Sequence, residues 1–211
     1  MSLICGCPVG SEITDITVST CPVDVGQIQK IIFQRIYSSG TTKNSFTIAS
    51  ANPNLEATWT AVLTASDGTK AVVSPYVSNP ETEPGARREY GGGNQTLGGI
   101  PINLGRESTS FTAEVLRSGQ QAIKEMKDLE CEEIGVYLIN DSGQIIGISD
   151  DISSPTISYP IPIKSFFVSD LDIGGFEEPD KNMLNWSFVP NWSDDLYIIT
   201  PSDFNALTDL G

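Results

Sequence analysis

Short runs of β-branched and aromatic residues, each ended by a turn signal, constrain the fold of this chain most. The clearest run covers residues 181–189, where Leu184, Trp186 and Phe188 alternate with Met183 and polar residues. A period of two is typical of a strand that buries one face. Similar runs recur along the chain, so the sequence favours a mainly β fold.

Ten segments fit short strands. They are residues 27–37, 45–49, 59–64, 70–77, 110–117, 133–139, 144–149, 164–173, 181–189 and 196–200. The second segment fits either a strand or the start of a loop. Two turn signals predict β-hairpins: Asp67-Gly68 joins the third segment to the fourth, and residues 140–143 join the sixth to the seventh. The Asp-Gly hairpin is the strongest local prediction.

One helix is predicted, over residues 119–130. Ile123 and Met126 belong to a set of apolar residues at three- and four-residue intervals, the spacing of an amphipathic helix on a sheet. Ser118 and Gln121 match the capping-box pattern at its start. The expected fold class is therefore mainly β, an antiparallel β-sandwich or barrel with one packed α-helix at residues 119–130.

The chain is expected to hold a single domain over residues 25–211, preceded by an extended arm over residues 1–24 that is rich in Gly, Pro, Ser and Thr. No repeat of 20–50 residues occurs, which excludes solenoids and propellers. A length of 211 residues suits one such domain.

Within the domain, residues 78–106 are predicted to be a long Gly/Pro-rich loop, because glycines and prolines interrupt any regular pattern there. Loops of this length are often functional. Arg87, Arg88 and Tyr90 lie near its middle. The segment is either a disordered surface loop or a loop that orders against a neighbouring acidic subunit. In the second case these three residues are candidates for a subunit interface.

The charge balance excludes several classes of function. The chain has 12 basic and 27 acidic residues, a net charge of −15, and no histidine. A chain this acidic does not bind nucleic acid through its phosphates. Without histidine, Ser-His-Asp and Cys-His catalysis are impossible, and the commonest metal ligand is missing. The expected protein is not an enzyme and carries no cofactor.

The acidic residues are concentrated in the second part of the chain. Residues 128–211 contain sixteen acidic residues but only Lys164 and Lys181, a net charge of −14. This half forms either a solvated acidic surface or a face that repels anions or meets a basic partner.

Four cysteines occur, Cys5, Cys7, Cys21 and Cys131. Their spacing differs from the two close pairs of a structural zinc site, although Cys5, Cys7 and Cys21 could begin one. No basic leader with an apolar run is visible, so we expect a cytoplasmic protein with reduced, mainly structural thiols and no bound metal.

Other candidate chemistry is weak. Paired carboxylates occur at residues 150–151, 177–178 and 194–195, and at Asp170 and Asp172, which share a strand face and could join Asp180 around calcium. A solvated surface is the expected role of these acids. Three tryptophans could form a sugar-binding platform, but core packing is expected. They are Trp59, Trp186 and Trp192.

In the second half of the chain, a strand leads to a short helix ending at Cys131, and then come a hairpin, the stretch 165–176 with its glycine break, and strands at 181–189 and 196–200. This order of elements resembles that of the major tail tube proteins of long-tailed bacteriophages. The opening residues 5–10, with Cys21-Pro22 and residues 26–29, also resemble phage-derived structural proteins.

The resemblance implies a virion structural protein that forms homo-oligomeric, hexameric rings stacked into a hollow tube. It also implies that residues 1–24 and 78–106 reach adjacent subunits, and that other phage tail proteins are partners. An acidic channel wall would let DNA pass without sticking. Such a protein is found in the host cytoplasm during assembly and then in the virion tail, with no membrane anchoring.

Three alternatives remain open from the sequence. One is a carbohydrate- or surface-binding β-sandwich module that uses exposed aromatic residues. Another is a different phage structural protein, such as a capsid decoration or tail terminator protein. The third is a glycoside hydrolase, which needs two acids facing each other in a cleft.

Overall fold

The computed structural model describes residue 16 and residues 25–211. Strands make up 41% of the described chain, and the mainly β, antiparallel fold class is confirmed. The strands are β1 (Ile28–Arg35), β2 (Tyr37–Ser39), β3 (Thr42–Lys43), β4 (Phe46–Thr47), β5 (Ala71–Val73), β6 (Val77–Glu83), β7 (Arg87–Tyr90), β8 (Ile102–Arg106), β9 (Thr109–Leu116), β10 (Ile134–Asn140), β11 (Ile145–Ser149), β12 (Ile157–Tyr159), β13 (Ile161–Val168), β14 (Lys181–Phe188) and β15 (Leu196–Ile199).

Two α-helices accompany the strands, α1 (Glu56–Leu63) and α2 (Gln120–Asp128). Short 3-10 helices cover Gly93–Gln95, Leu97–Gly99 and Leu129–Cys131. Among the described residues, neither α-helix is long and apolar enough to span a membrane.

Eleven strands form one antiparallel sheet, in the order β4-β12-β11-β10-β13-β14-β9-β6, with β1 between β10 and β5 and with β15 on β11. The sheet curls until β6 approaches β1. In the connection from β5 to β6, the backbone N–H of Ser74 donates to the Ile31 carbonyl (2.8 Å), and Ser74 Oγ accepts from the Ile31 N–H (2.9 Å). Six strands, β1, β10, β13, β14, β9 and β6, therefore surround a common interior, which we call the barrel.

The barrel interior is filled by the inward side chains of all six strands, and α2 covers one end. In β14 the predicted alternation is confirmed, because Leu184, Trp186 and Phe188 are buried while Met183 is exposed. Ile123 and Met126 of α2 join the same core. The other inward residues are Ile28, Ile31, Phe33, Val77, Phe111, Ala113, Val115, Ile134, Val136, Leu138, Ile161, Ile163, Phe166 and Val168, and Ile146 of the neighbouring strand β11 joins the same core.

A second core lies on the outer face of β1, β10 and β11. Helix α1 places Trp59 there, against Phe46 and Tyr137. The C-terminal residues add Ala206 and Leu210, which are fully buried. Lys30 holds this tail: its Nζ donates to the carbonyls of Leu207 (2.8 Å) and Gly211 (3.2 Å), and burial lowers the pKa of the lysine.

Several local predictions are confirmed. The hairpin around residues 140–143 is formed by β10 and β11, and the strands predicted at 110–117, 181–189 and 196–200 are β9, β14 and β15. Helix α2 with the 3-10 turn after it covers most of residues 119–130. The predicted capping box is not formed, since Gly119 is the N-cap and no side chain caps the helix.

The predicted Asp67-Gly68 hairpin is wrong. The segment predicted as its first strand forms helix α1 instead. The segment predicted as its second strand is a strand only in β5, and β5 pairs with β1. The Asp67 carboxylate accepts hydrogen bonds from the Thr69 N–H (2.8 Å) and hydroxyl (2.5 Å), so the Asp-Gly pair makes a local turn without joining two paired strands.

The prediction that residues 78–106 are an irregular loop is also wrong. The segment contains most of β6, a two-stranded hairpin of β7 and β8, and two 3-10 turns. A side chain at Gly85 would lie 2.1 Å from the Glu107 carbonyl oxygen, so glycine permits the close approach at the base of the hairpin. Gly92 and Gly98, with φ of 112° and 77°, supply the left-handed conformations of its tip. The predicted arm over residues 1–24 lies outside the described residues, apart from residue 16.

Candidate functional site

The hairpin of β7 and β8 carries an exposed apolar surface. All nine residues of the two strands are exposed. Five large apolar side chains on the hairpin are exposed, and Leu97 at its end is completely so. We call this set the tip surface: Tyr90, Leu97, Ile100, Ile102 and Leu104. Residues 91–105 contain no charged side chain, which is unusual for so exposed a segment and is typical of an interaction surface.

The arginines predicted as interface residues are already paired within this hairpin. Arg87 forms an ion pair with Glu89 (2.8 Å) and Arg88 with Glu107 (3.3 Å), and all four side chains are well exposed. An acidic neighbour is therefore not needed to balance their charge. Tyr90 belongs to the tip surface. The role of Arg87, Arg88 and Tyr90 in a subunit interface stays a prediction.

A second exposed apolar surface lies on the loop between β13 and β14. Its members are Leu171, Ile173 and Phe176, with Phe176 completely exposed, and we call them the loop surface. Backbone hydrogen bonds between Asp172 and Lys181 (2.8 and 3.0 Å) hold the start of the loop against the start of β14.

The two surfaces lie at opposite ends of the barrel. The hairpin precedes β9, and β14 pairs with β9 so that Lys181 faces Leu116 and Phe188 faces Thr109. The loop surface precedes Lys181 and therefore lies beside the far end of β9. Eight residues of β9 separate the ends, roughly 23 Å at the usual rise per residue in a strand.

This placement determines the kind of self-contact that the chain can make. A surface that pairs with its own copy about a twofold axis gives a closed dimer. Two different surfaces at opposite ends instead give a head-to-tail contact, which can repeat from copy to copy. Apolar patches of this kind lose unfavourable exposure to water when a partner covers them.

The paired carboxylates serve local structure. Asp150 accepts hydrogen bonds from the Thr156 hydroxyl and from the backbone N–H groups of Thr156 and Ile157 (each 2.9 Å). Asp151 accepts from the hydroxyl (2.7 Å) and backbone N–H (2.8 Å) of Ser153. The hydrogen bond from Thr156 is the main cause that lowers the pKa of Asp150 to about 2. Both acids therefore fold the loop between β11 and β12.

Replacing Asp150 with asparagine should reduce the loss of stability that the protein shows on acidification between about pH 4 and pH 2. The pKa of this carboxyl falls from an ordinary 3.8 to about 2 in the fold. Its charged form therefore stabilises the fold above pH 4, and that contribution disappears as the pH falls towards 2. Urea midpoints measured from pH 5 to pH 2 should fall less steeply for Asp150→Asn than for the wild type. Asp128→Asn, which removes an exposed carboxylate without hydrogen bonds in the described chain, should follow the wild-type curve.

The candidate metal and sugar sites are not assembled. Asp170 pairs with Lys127 (2.5 Å), and Asp180 accepts from the Gly174 N–H (3.2 Å). Within the described part of the chain, no group of three or more acids or cysteines is placed to hold a metal ion. Cys5, Cys7 and Cys21 lie outside it, and Cys131 is an exposed free thiol.

The predicted core role of the tryptophans is confirmed for two of them. Trp59 and Trp186 are buried in the second core and the barrel interior. Trp192 is half-buried, and its ring stacks on Phe188 with centroids 4.2 Å apart. The three do not form a common exposed platform.

The acidic half of the sequence does not form one acidic strand face. None of its sixteen acids lies within a strand; they occupy α2, the 3-10 helix after it, the turns and loops between strands, and the segment after β15. The acids within strands are Glu81, Glu83, Glu89 and Glu114. Glu114 is bound to Lys181 (3.1 Å).

Sequence reasoning missed the loop surface and most of the tip surface. Their apolar residues stand singly among glycines and polar residues, so no periodic pattern marks them. The available signal was the absence of charge from residues 91–105 in a chain with a net charge of −15.

No known protein family matches this chain, and no curated protein matches it. Among solved structures, it is distantly similar to a phage-like tail, described as the tail of an empty GTA (gene transfer agent) particle computed with helical refinement and C6 symmetry. The similarity covers 54% of this chain and 77% of that chain, with 14% identity and a TM-score of 0.31.

Proposed function

We propose that this chain is a non-enzymatic structural protein that assembles head to tail with copies of itself. The observation that supports the proposal is the position of the tip surface and the loop surface at opposite ends of one barrel. Each surface is apolar and exposed, and a head-to-tail contact covers both at once. Repetition of that contact builds a ring or an open filament.

The specific form that we propose is a major tail tube protein of a long-tailed bacteriophage. Hexameric rings would close through the tip and loop surfaces and would stack into a tube, and DNA would pass through the channel without sticking. The order of sequence elements from residue 110 to residue 200 supports this form, as does the net charge of −15, which repels phosphate groups. The protein would act in the host cytoplasm during assembly and then in the virion tail.

The test uses one variant for each surface. The tip variant is Leu97→Ser/Ile100→Ser/Leu104→Ser, and the loop variant is Leu171→Ser/Ile173→Ser/Phe176→Ser. Light-scattering mass and negative-stain microscopy over rising concentration should show rings or tubes for the wild type. Each variant alone should stay monomeric because one of its two ends is inactive. An equimolar mixture should form a dimer and nothing larger, since it has one working pair of ends.

The control is Ile152→Ser, which removes an exposed apolar side chain from the loop between β11 and β12 and should assemble like the wild type. A wild type that is monomeric at every concentration would contradict the proposal, as would tip and loop variants that still assemble. Variants that form no dimer when mixed would exclude the pairing of tip with loop.

A further inference from the structure

We propose that Arg117 and Lys124 bind the carboxylates of Asp194 and Asp195 of a second copy of this chain. The proposal rests on the head-to-tail assembly proposed above and adds a charged contact to it. Two observations carry it: a groove with unpaired cations at the loop end of the barrel, and a turn with unpaired carboxylates at the hairpin end.

The groove lies between α2 and the loop that joins β13 to β14, with a volume of about 740 Å³. Ile123 of α2 and Leu171 of the loop contribute apolar lining. Arg117 follows β9 directly and has a φ of 49°, an uncommon conformation for a residue with a side chain. Its backbone N–H donates to the Asp180 carbonyl (3.0 Å), so the chain enters the groove in a fixed position.

Arg117 and Lys124 differ from the other charged residues that line the groove. Lys127 is paired with Asp170, and Glu178 is paired with Lys181 (3.3 Å). The Asp180 carboxylate accepts a hydrogen bond from within its own loop. In residues 25–211, the side chains of Arg117 and Lys124 have neither a hydrogen bond nor an ion pair, and both residues are exposed.

At the hairpin end of the barrel the arginines have partners, and the unpaired charges are carboxylates. Arg87 and Arg88 are paired within the hairpin. Arg106 donates to the Asn191 side-chain oxygen (2.9 Å), which ties the turn between β14 and β15 to the base of the hairpin. Asp194 and Asp195 follow in that turn. Both are exposed, and their carboxylates make no hydrogen bond or ion pair to any described residue.

The unpaired cations of the groove and the unpaired carboxylates of the turn complement each other across a head-to-tail contact. When the tip surface of one copy covers the loop surface of the next, the turn at the base of the hairpin approaches the groove end of that next copy. A guanidinium binds a carboxylate with two parallel hydrogen bonds, and a groove excludes part of the water that weakens exposed ion pairs. Complementary charges at such a contact fix its register and suppress wrong pairings.

Charge reversal tests the contact. The groove variant is Arg117→Glu/Lys124→Glu, and the turn variant is Asp194→Lys/Asp195→Lys. Each alone should need about tenfold or more protein for half-maximal assembly, because like charges then face each other. An equimolar mixture should regain assembly, since each groove then meets a turn of opposite charge. The variant carrying all four substitutions should also assemble.

The matched control is Lys43→Glu/Lys70→Glu, which changes the net charge as the groove variant does but at residues that belong neither to the groove nor to the turn, and it should assemble like the wild type. Circular dichroism establishes that every variant is folded. If the groove and turn variants assemble like the wild type while the tip variant does not, the charged contact is wrong and head-to-tail assembly stands. If the groove variant and the turn variant both fail to assemble and their equimolar mixture also fails, the proposed pairing of the groove with the turn is wrong. If the wild type itself never assembles, the proposed function fails.

Discussion

Replacing Trp59 with alanine should lower the free energy of unfolding by about 3–5 kcal/mol. Trp59 is completely buried beneath α1. Its ring contacts Phe46 (centroids 4.8 Å apart) and meets Tyr137 edge-on (5.1 Å). Its Nε1 donates to the Pro53 carbonyl (2.7 Å). Alanine leaves a cavity in the second core and a buried carbonyl without a donor. Urea unfolding followed by circular dichroism measures the change.

Trp192→Ala provides the comparison, because Trp192 is half-buried and its removal exposes surface without opening an enclosed cavity. We expect it to cost clearly less than Trp59→Ala. Equal losses for the two variants would contradict the view that Trp59 holds α1 on the sheet.

Helix α1 shows why the strongest local signal in the sequence failed. Trp59, Val62 and Leu63 pack on the second core, and their spacing of three and four residues is helical. The β-branched residues within the segment favour a strand over so short a length. Packing of one helical face on β1 and β10 decided the structure, because tertiary contacts outweigh propensities of a few tenths of a kcal/mol per residue.

The prediction for the hairpin of β7 and β8 failed for a different reason. Glycine signals a break in regular structure, but it also supplies the left-handed conformations of tight turns, and a single sequence does not distinguish the two uses. Gly85 permits close packing at the base, while the tip glycines reverse the chain. The sequence therefore located the unusual segment and its candidate residues Arg87, Arg88 and Tyr90, but not its form.

Strand β14 of the barrel was predictable because its alternation is strong. In β14 every second residue meets the interior, so the pattern alone fixed both the strand and its buried face. The assembly surfaces were not predictable in this way. Exposed apolar residues follow no internal period, since their partner lies on another molecule.

The position of the acids bears on the proposed channel. Because the acids of residues 128–211 lie outside the strands, a channel wall built from β10 to β15 would not be acidic along its length. Its acidity would come from turns at the ends of the barrel or from Glu81 and Glu83 of β6, which have no side-chain partner within residues 25–211. The tube proposal therefore expects these residues, when neutralised, to change how DNA interacts with the channel.

Replacing Trp186 with alanine should cost about 3–5 kcal/mol, whereas phenylalanine at the same position should cost much less. Trp186 stacks on Phe111 (centroids 4.1 Å apart) and meets Phe188 edge-on (5.9 Å) in the barrel interior. Its Nε1 has no hydrogen-bond partner in the described chain. Phenylalanine keeps the stacking and removes a buried donor whose lost hydration already costs free energy, so these effects offset the lost volume.

Trp59→Phe is the matched comparison, because there the indole N–H has a partner and its loss leaves the Pro53 carbonyl unpaired. The same exchange should therefore cost more at Trp59 than at Trp186. Urea unfolding of the three variants, followed by circular dichroism, measures both differences. A Trp186→Phe protein as unstable as Trp186→Ala would show that the indole N–H is paired after all, and would overturn this account of the barrel interior.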